Sequence, residues 1–92
     1  MPYVIQLRPA AERDLKKIPT NLLPEIDACI LALAQNPRPH GVEKLKGKYG
    51  DYYRVHKGDY RILYLIKDRE LVICVVRIAH RREVYRKKGG DL

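Results

Sequence analysis

Residues 70–78 constrain the fold of this chain more than any other segment. Valine, isoleucine, leucine and cysteine dominate this run, and its longest apolar stretch extends from Leu71 to Val76. Such a composition is typical of a strand that is covered on both faces, so the run predicts a central strand of a sheet. The stretch is far too short to span a membrane as a helix.

Two further strands are predicted just before this run. The segments Tyr52–Lys57 and Tyr60–Lys67 flank Gly58-Asp59, which has the length and composition of a two-residue hairpin turn in which glycine supplies a positive φ. Residues 37–51 hold two prolines and three glycines and are predicted to form a loop.

The N-terminal part predicts a strand followed by two helices. Residues 3–7 alternate in polarity as a short strand does, and Pro9 suits the first turn of a helix that Pro19 ends. A second helix follows, with a buried stripe that ends before Asn36. The predicted fold is α+β, a small single domain over residues 1–92. Its order is βααβββ(α), with a mostly antiparallel four-stranded sheet and two N-terminal helices on one face. Residues 87–92 are expected to be a flexible tail.

Charge divides the chain into two unequal halves. Residues 44–92 contain 14 Lys and Arg against 6 Asp and Glu, whereas residues 1–43 contain 5 of each, so the second half carries the whole net charge of +8. Six of the seven tyrosines and two of the three histidines lie in the same half. Cations that attract phosphate, rings that stack on bases and groups that move protons together favour an RNA-handling protein over a merely solvated basic surface.

The predicted hairpin brings three cationic side chains together. With Gly58-Asp59 as its turn, His56 faces Arg61, and Arg54 projects from the same face because side chains alternate along a strand. A cluster of like charges is tolerated best where an anion binds. The alternative is that Arg54 and Arg61 simply extend into solvent at the edge of the sheet.

The segment after the long strand adds Arg81 and Tyr85, which share a face if the segment is helical. RNA cleavage without a metal needs a base for the 2′-hydroxyl, cations for the phosphate and an acid for the leaving 5′-oxygen. Arginine suits the phosphate, and His56 and Tyr85 are candidates for proton transfer. The candidate catalytic residues are Arg54, His56, Arg61, Arg81 and Tyr85.

A second group of basic residues is predicted to contact RNA. For Arg77, a phosphate contact and a structural ion pair are equally favoured, and His80 either reaches the site or satisfies a strand end. Tyr60 and Tyr64 are expected to pack in the core rather than stack on bases. The group comprises Lys44, Lys46, Lys48, Arg77, His80, Arg82 and Arg86.

No metal or cofactor is expected. Cys29 and Cys74 lie in apolar patterns and are predicted to fill the core as reduced thiols, and the acidic residues are scattered. The N-terminus lacks the features of a secretory signal, and a cytoplasmic location is expected.

The motifs Lys44-Leu45-Lys46-Gly47, Asp59-Tyr60-Arg61-Ile62-Leu63-Tyr64 and Ala79-His80-Arg81-Arg82-Glu83-Val84-Tyr85 resemble those of RelE toxins in the RelE/ParE superfamily. The resemblance covers nearly the whole chain. It implies a microbial RNase-like fold and a toxin of a type II toxin–antitoxin pair that cuts messenger RNA in the ribosomal A site without metal.

The same resemblance implies a set of partners and one departure. An acidic, RelB-like antitoxin would neutralise the toxin, and the pair would bind its operator DNA. Well-known members place lysine at the position that His56 occupies here, so acid–base chemistry and simple phosphate binding both stay open for His56. ParE toxins share the scaffold but inhibit DNA gyrase by binding, and a non-catalytic nucleic-acid-binding module is a third interpretation. The full set of Arg, His and Tyr favours the nuclease.

Overall fold

The computed structural model of the chain describes residues 2–46 and 50–82. The predicted tail, residues 87–92, lies outside these ranges. The helices and strands follow one another as β1 (Val4–Leu7), α1 (Pro9–Lys16), a 3₁₀ turn (Thr20–Leu22), α2 (Leu23–Gln35), β2 (Glu43–Lys44), β3 (Tyr52–Lys57), β4 (Tyr60–Lys67) and β5 (Val72–His80).

The described strands form one mixed sheet in the order β1-β5-β4-β3-β2. β1 runs parallel to β5, and the other neighbours are antiparallel. The prediction of a central strand is confirmed, because β5 lies between β1 and β4. The predicted strand count is corrected from four to five. Glu43 and Lys44, in the segment predicted to be a loop, pair with Arg54 and Tyr53 of β3.

Both helices pack on one face of the sheet, as predicted. Pro9 and Pro24 occupy first-turn positions of α1 and α2, where an amide hydrogen has no partner within the helix. The main core contains eleven buried residues, Ala11, Ile18, Ile26, Ile30, Leu33, Val55, Ile62, Tyr64, Ile73, Val75 and Ile78. Within residues 2–46 and 50–82, neither helix has the combined length and hydrophobicity that crossing a bilayer requires.

The opposite face of the sheet is covered more thinly. Leu63 and Ala79 are buried there, with Leu45, Tyr52 and Val76 packed against them. Cys74 is also buried, so β5 has covered positions on both faces. This thin layer leaves room on the same face for polar side chains at the hairpin end of the sheet.

The two tight turns of the antiparallel strands differ in backbone conformation. Gly58 has φ +59°, as expected for the two-residue hairpin turn. The second turn is longer than predicted, and β5 begins two residues later, at Val72. Leu71 ends this turn with φ +56°, a left-handed conformation that is rare for residues other than glycine. Its carbonyl oxygen accepts the N–H of Val4 at 2.7 Å, which joins the turn to β1.

Candidate functional site

The β3–β4 hairpin holds the centre of the candidate site. Its register pairs His56 with Arg61 and Arg54 with Leu63, as predicted from the two-residue turn. Because paired residues share a face and side chains alternate along a strand, Arg54, His56 and Arg61 project from the face opposite the helices. We call these three residues the cationic cluster.

An acidic residue lies within the cationic cluster. Glu43 of β2 is paired in register with Arg54, and its Oε1 accepts a hydrogen bond from Arg54 Nε at 3.1 Å. The same oxygen lies 3.1 Å from His56 Nε2. These contacts, that with Arg54 first, hold the pKa of Glu43 below its usual range. The cluster therefore already contains a bound carboxylate, which the sequence interpretation did not include.

His56 Nε2 has two neighbours that require opposite hydrogen-bonding roles of this nitrogen. Arg61 Nε lies 3.4 Å away and can only donate, whereas Glu43 Oε1 can only accept. With a proton on Nε2, the imidazole donates to Glu43. Without that proton, Nε2 accepts from Arg61. The geometry therefore lets Nε2 form a hydrogen bond in either tautomer of the imidazole, as a donor to Glu43 or as an acceptor from Arg61.

Arg81 is held at the hairpin end of the sheet. Its backbone N–H donates to the carbonyl oxygen of Asp59 at 2.7 Å, and its Nη1 lies 3.8 Å from Asp59 Oδ1. Arg81 and Arg82 are helical, directly after β5. Because Arg61 pairs with Ala79, two residues earlier, Arg61 and Arg81 lie at the same end of the sheet. Tyr85, Arg86 and Lys48 lie outside the described residues.

Two of the predicted RNA-binding residues lie on the other face of the sheet from the cationic cluster. His80 pairs with Tyr60, and the two rings meet edge to face with centroids 5.2 Å apart. His80 also lines a cleft of about 400 Å³ together with Ile26 of α2. Lys44 pairs with Tyr53 and places its Nζ 5.9 Å from the centre of that ring. The structure therefore does not bring His80 or Lys44 to the cationic cluster.

Arg77 forms the structural ion pair that was one of its two predicted roles. Its Nε donates to Asp14 Oδ2 at 2.8 Å, and Asp14 is only 6% exposed. A β-bulge lies beside it, because Leu63 pairs with Arg77 and Tyr64 with Val75, which leaves Val76 opposite no residue. Lys46 and Arg82 are exposed. Tyr64 is fully buried and donates its hydroxyl to the Pro37 carbonyl at 2.7 Å, as expected of a core residue.

Among the described residues, no three His, Cys, Asp or Glu side chains lie close enough together to hold a metal ion. The acid–base groups that the structure describes at the cationic cluster are the imidazole of His56 and the carboxylate of Glu43. The arrangement can bind a phosphate through guanidinium groups and move a proton through the imidazole.

The fold and this cationic face define a toxin of the RelE/ParE type. The family described as "ParE toxin of type II toxin-antitoxin system, parDE" matches residues 5–85. Toxin RelG of Mycobacterium tuberculosis is 30% identical over 88 residues, which cover 95% of this chain and 100% of that protein. The chain therefore belongs to the RelE/ParE toxin superfamily.

Solved structures agree with this assignment. The toxin–antitoxin complex RelBE2 of Mycobacterium tuberculosis contains a chain with a TM-score of 0.80 and 27% identity, over 88% of this chain and 100% of that one. The archaeal RelE–RelB complex of Pyrococcus horikoshii gives a TM-score of 0.75 and 27% identity, over 88% and 97% of the two chains. The isolated Escherichia coli RelE toxin, at 20% identity with a TM-score of 0.72, shares the fold over 85% of this chain and 83% of its own.

Proposed function

We propose that this chain is the toxin of a type II toxin–antitoxin pair and that it cleaves messenger RNA without a metal, in the ribosomal A site. The observation that carries the proposal is the cationic cluster, where Arg54, His56 and Arg61 share the face that the helices leave open. Glu43 marks this face as one that already binds an anion, at 3.1 Å from both Arg54 and His56.

Cleavage would proceed by attack of a 2′-oxygen on the adjacent phosphorus. The 2′-proton passes to a base, the bond from phosphorus to the 5′-oxygen breaks, and an acid returns a proton to that oxygen. Arg61 and Arg81 would stabilise the charge that develops on the phosphate. His56 is a candidate for one of the proton transfers, because imidazole is a common acid–base group and its Nε2 lies in the cationic cluster. Tyr85 completes the set on the strength of the sequence resemblance.

The proposed partner is an acidic, RelB-like antitoxin. The similar chains from Mycobacterium tuberculosis and Pyrococcus horikoshii were solved as complexes with their RelB antitoxins. The net charge of +8 favours an acidic partner for this chain as well. Operator DNA would be bound only through that complex.

Single-turnover cleavage on programmed ribosomes tests the nuclease proposal. Arg61→Ala should slow cleavage by about 10²–10³-fold, the usual effect of removing one electrostatic donor to a transition state. The matched control is Arg69→Ala, a change at an exposed arginine in the turn after β4, and this variant should cleave at the wild-type rate. Wild-type cleavage by a folded Arg61→Ala variant would show that the assigned site is wrong.

Variants at two further residues test the candidate proton-transfer groups. If Tyr85 moves a proton or bonds the 2′-hydroxyl, Tyr85→Phe should lose nearly as much activity as Tyr85→Ala, whereas a ring that only stacks would keep most activity in the Phe variant. A loss in His56→Ala similar to that in Arg61→Ala would show that His56 takes part in the reaction, and the loss of one limb of the pH–rate profile in this variant would assign acid–base chemistry to it.

The family match also supports a second candidate function, inhibition of DNA gyrase by binding. The matched family description names ParE toxins, and the match spans most of the chain. A supercoiling assay with purified gyrase distinguishes the two functions. Inhibited supercoiling with intact messenger RNA would favour the ParE-like function, and cut messages with active gyrase would favour the nuclease.

A further inference from the structure

The hydrogen-bond donors of Arg54 and His56 converge on a single carboxylate oxygen. Glu43 Oε1 lies 3.1 Å from Arg54 Nε and 3.1 Å from His56 Nε2. A guanidinium N–H and an imidazole N–H at this spacing would bind a phosphate oxygen equally well, because both anions offer the same kind of acceptor. The carboxylate oxygen therefore occupies a position suited to an RNA phosphate oxygen.

We infer that Arg54 and His56 form one phosphate-binding pair and that Glu43 is its intramolecular competitor, which an RNA phosphate must displace. This inference rests on the proposed use of this face for RNA. Two anions cannot share the same two donors, since their charges repel each other at such short range. Each phosphate that binds here must therefore release Glu43.

The local structure makes this release easy. Glu43 belongs to β2, a strand of two residues at the edge of the described sheet. Its side chain is 49% exposed, so the freed carboxylate can rotate into water and regain its hydration. Arg54, by contrast, is 22% exposed and sits within the longer strand β3, so the donor stays in place when the acceptor leaves.

The competition has a consequence for selectivity. Glu43 lowers the affinity of the cluster for any single phosphate, so a stray RNA strand that makes few other contacts binds weakly. A substrate held by many contacts offsets the loss of the Glu43 ion pairs. Glu43 thus sets the binding energy that the other contacts of an RNA must supply before a phosphate binds to Arg54 and His56.

The test is binding of a fluorescein-labelled, single-stranded 2′-O-methyl RNA of about ten nucleotides, followed by fluorescence anisotropy at low salt. This RNA lacks the free 2′-hydroxyl and is not consumed. Glu43→Gln and Glu43→Ala should each bind it about three- to tenfold more tightly than the wild type, because exposed ion pairs of ordinary strength no longer compete. The matched control is Glu70→Gln, an equal change of charge in the turn after β4, roughly 20 Å along the strand from Arg61.

The Arg54→Ala variant tests whether the gain in affinity arises at the phosphate-binding pair. In Arg54→Ala, adding Glu43→Gln should give a much smaller gain than it gives in the wild type. The inference is overturned if the Glu43 variants bind no more tightly than Glu70→Gln, or if the gain persists undiminished without Arg54.

The same measurements separate this inference from the proposed function. If the wild type cleaves RNA but Glu43→Gln binds RNA with unchanged affinity, the competitor role of Glu43 is rejected and the proposed nuclease function is not. Tighter binding by Glu43→Gln without any cleavage by the wild type would support the competitor and reject the nuclease.

Discussion

Asp14 is a nearly buried carboxylate whose oxygens have several donors. Its Oδ2 accepts Arg77 Nε at 2.8 Å and the backbone N–H of Ile78 at 2.8 Å, and its Oδ1 accepts Arg77 Nη2 at 3.3 Å. These bonds offset the cost of removing the charge from water. β1 ends at Leu7, which pairs with Val75, so Asp14 supplies Ile78 with the acceptor that a longer β1 would have provided.

We expect Asp14→Ala to lower the free energy of unfolding by about 3 kcal/mol, because it leaves a partly buried guanidinium and a strand amide without this acceptor. Urea denaturation followed by circular dichroism measures the loss. Asp27→Ala, an exposed change on α2, should alter stability by about 0.5 kcal/mol or less. A loss below about 1 kcal/mol for Asp14→Ala would show that the ion pair contributes little.

At the scale of elements, a polar cluster fastens the loop after α2 to the sheet. Arg38 makes two bonds to Asp68, Nη1 to Oδ1 at 3.4 Å and Nη2 to Oδ2 at 3.0 Å. Tyr3 donates its hydroxyl to Asp68 Oδ1 at 2.7 Å. The cluster joins the start of β1, the loop after α2 and the turn after β4. These bonds, that with Arg38 first, hold the pKa of Asp68 below its usual value of 3.8, and the bond to Asp68 raises the pKa of Tyr3.

The lowered pKa of Asp68 predicts that the protein loses stability as the pH falls and this carboxylate becomes protonated. A carboxyl whose folded pKa lies below its unfolded value stabilises the protein above the unfolded pKa, and this contribution is lost as pH falls through the folded pKa. Asp68→Asn should therefore lower the thermal midpoint at neutral pH and flatten its fall below about pH 4. In an Arg38→Met background the same change should have much less effect. Identical pH profiles for Asp68→Asn and the wild type would contradict this role.

Features that depend on residues close together in the sequence could be predicted, whereas features that depend on distant residues could not. The hairpin register followed from the two-residue turn at Gly58, since that turn allows one pairing of β3 with β4. β2 could not be predicted, because two residues carry no periodicity and their pairing with β3 depends on the path of the loop. Glu43 was missed with it. The partner of Arg77 was equally out of reach, because Asp14 lies 63 residues earlier and is brought close only by packing of α1 on β5.

At the scale of the whole molecule, the net charge is divided unevenly between the two parts of the chain. Residues 1–43 are neutral overall and supply both helices, whereas residues 44–92 carry the net charge of +8 and most of the sheet. The two helices, which carry no net positive charge, cover one face of the sheet, and the cationic cluster lies on the other. The cationic cluster therefore adds local attraction for phosphate on the face that the helices leave open.

RNA binding should accordingly depend steeply on salt. For single-stranded RNA, the slope of log affinity against log salt is roughly −0.7 per phosphate contacted, so losing one contact reduces its magnitude by about 0.7. We expect this reduction for Arg54→Ala and Lys46→Glu, measured by anisotropy across a salt series. Lys16→Glu, an exposed change on α1, should leave the slope unchanged. Equal slopes for all three variants would place the RNA elsewhere.

The parallel pairing of β1 with β5 determines when the molecule can finish folding. Val4 pairs with Val72 and Leu7 with Val75, so β1 can find its place only after β5 has been made. The β3–β4 and β4–β5 hairpins close short loops and can form early, whereas β1 must close a loop of some seventy residues. A chain still being synthesised can thus present the basic hairpin before the framework around it is complete. Folding of the sheet, and with it the rigid arrangement of the basic face, can be completed only after β5 has been made.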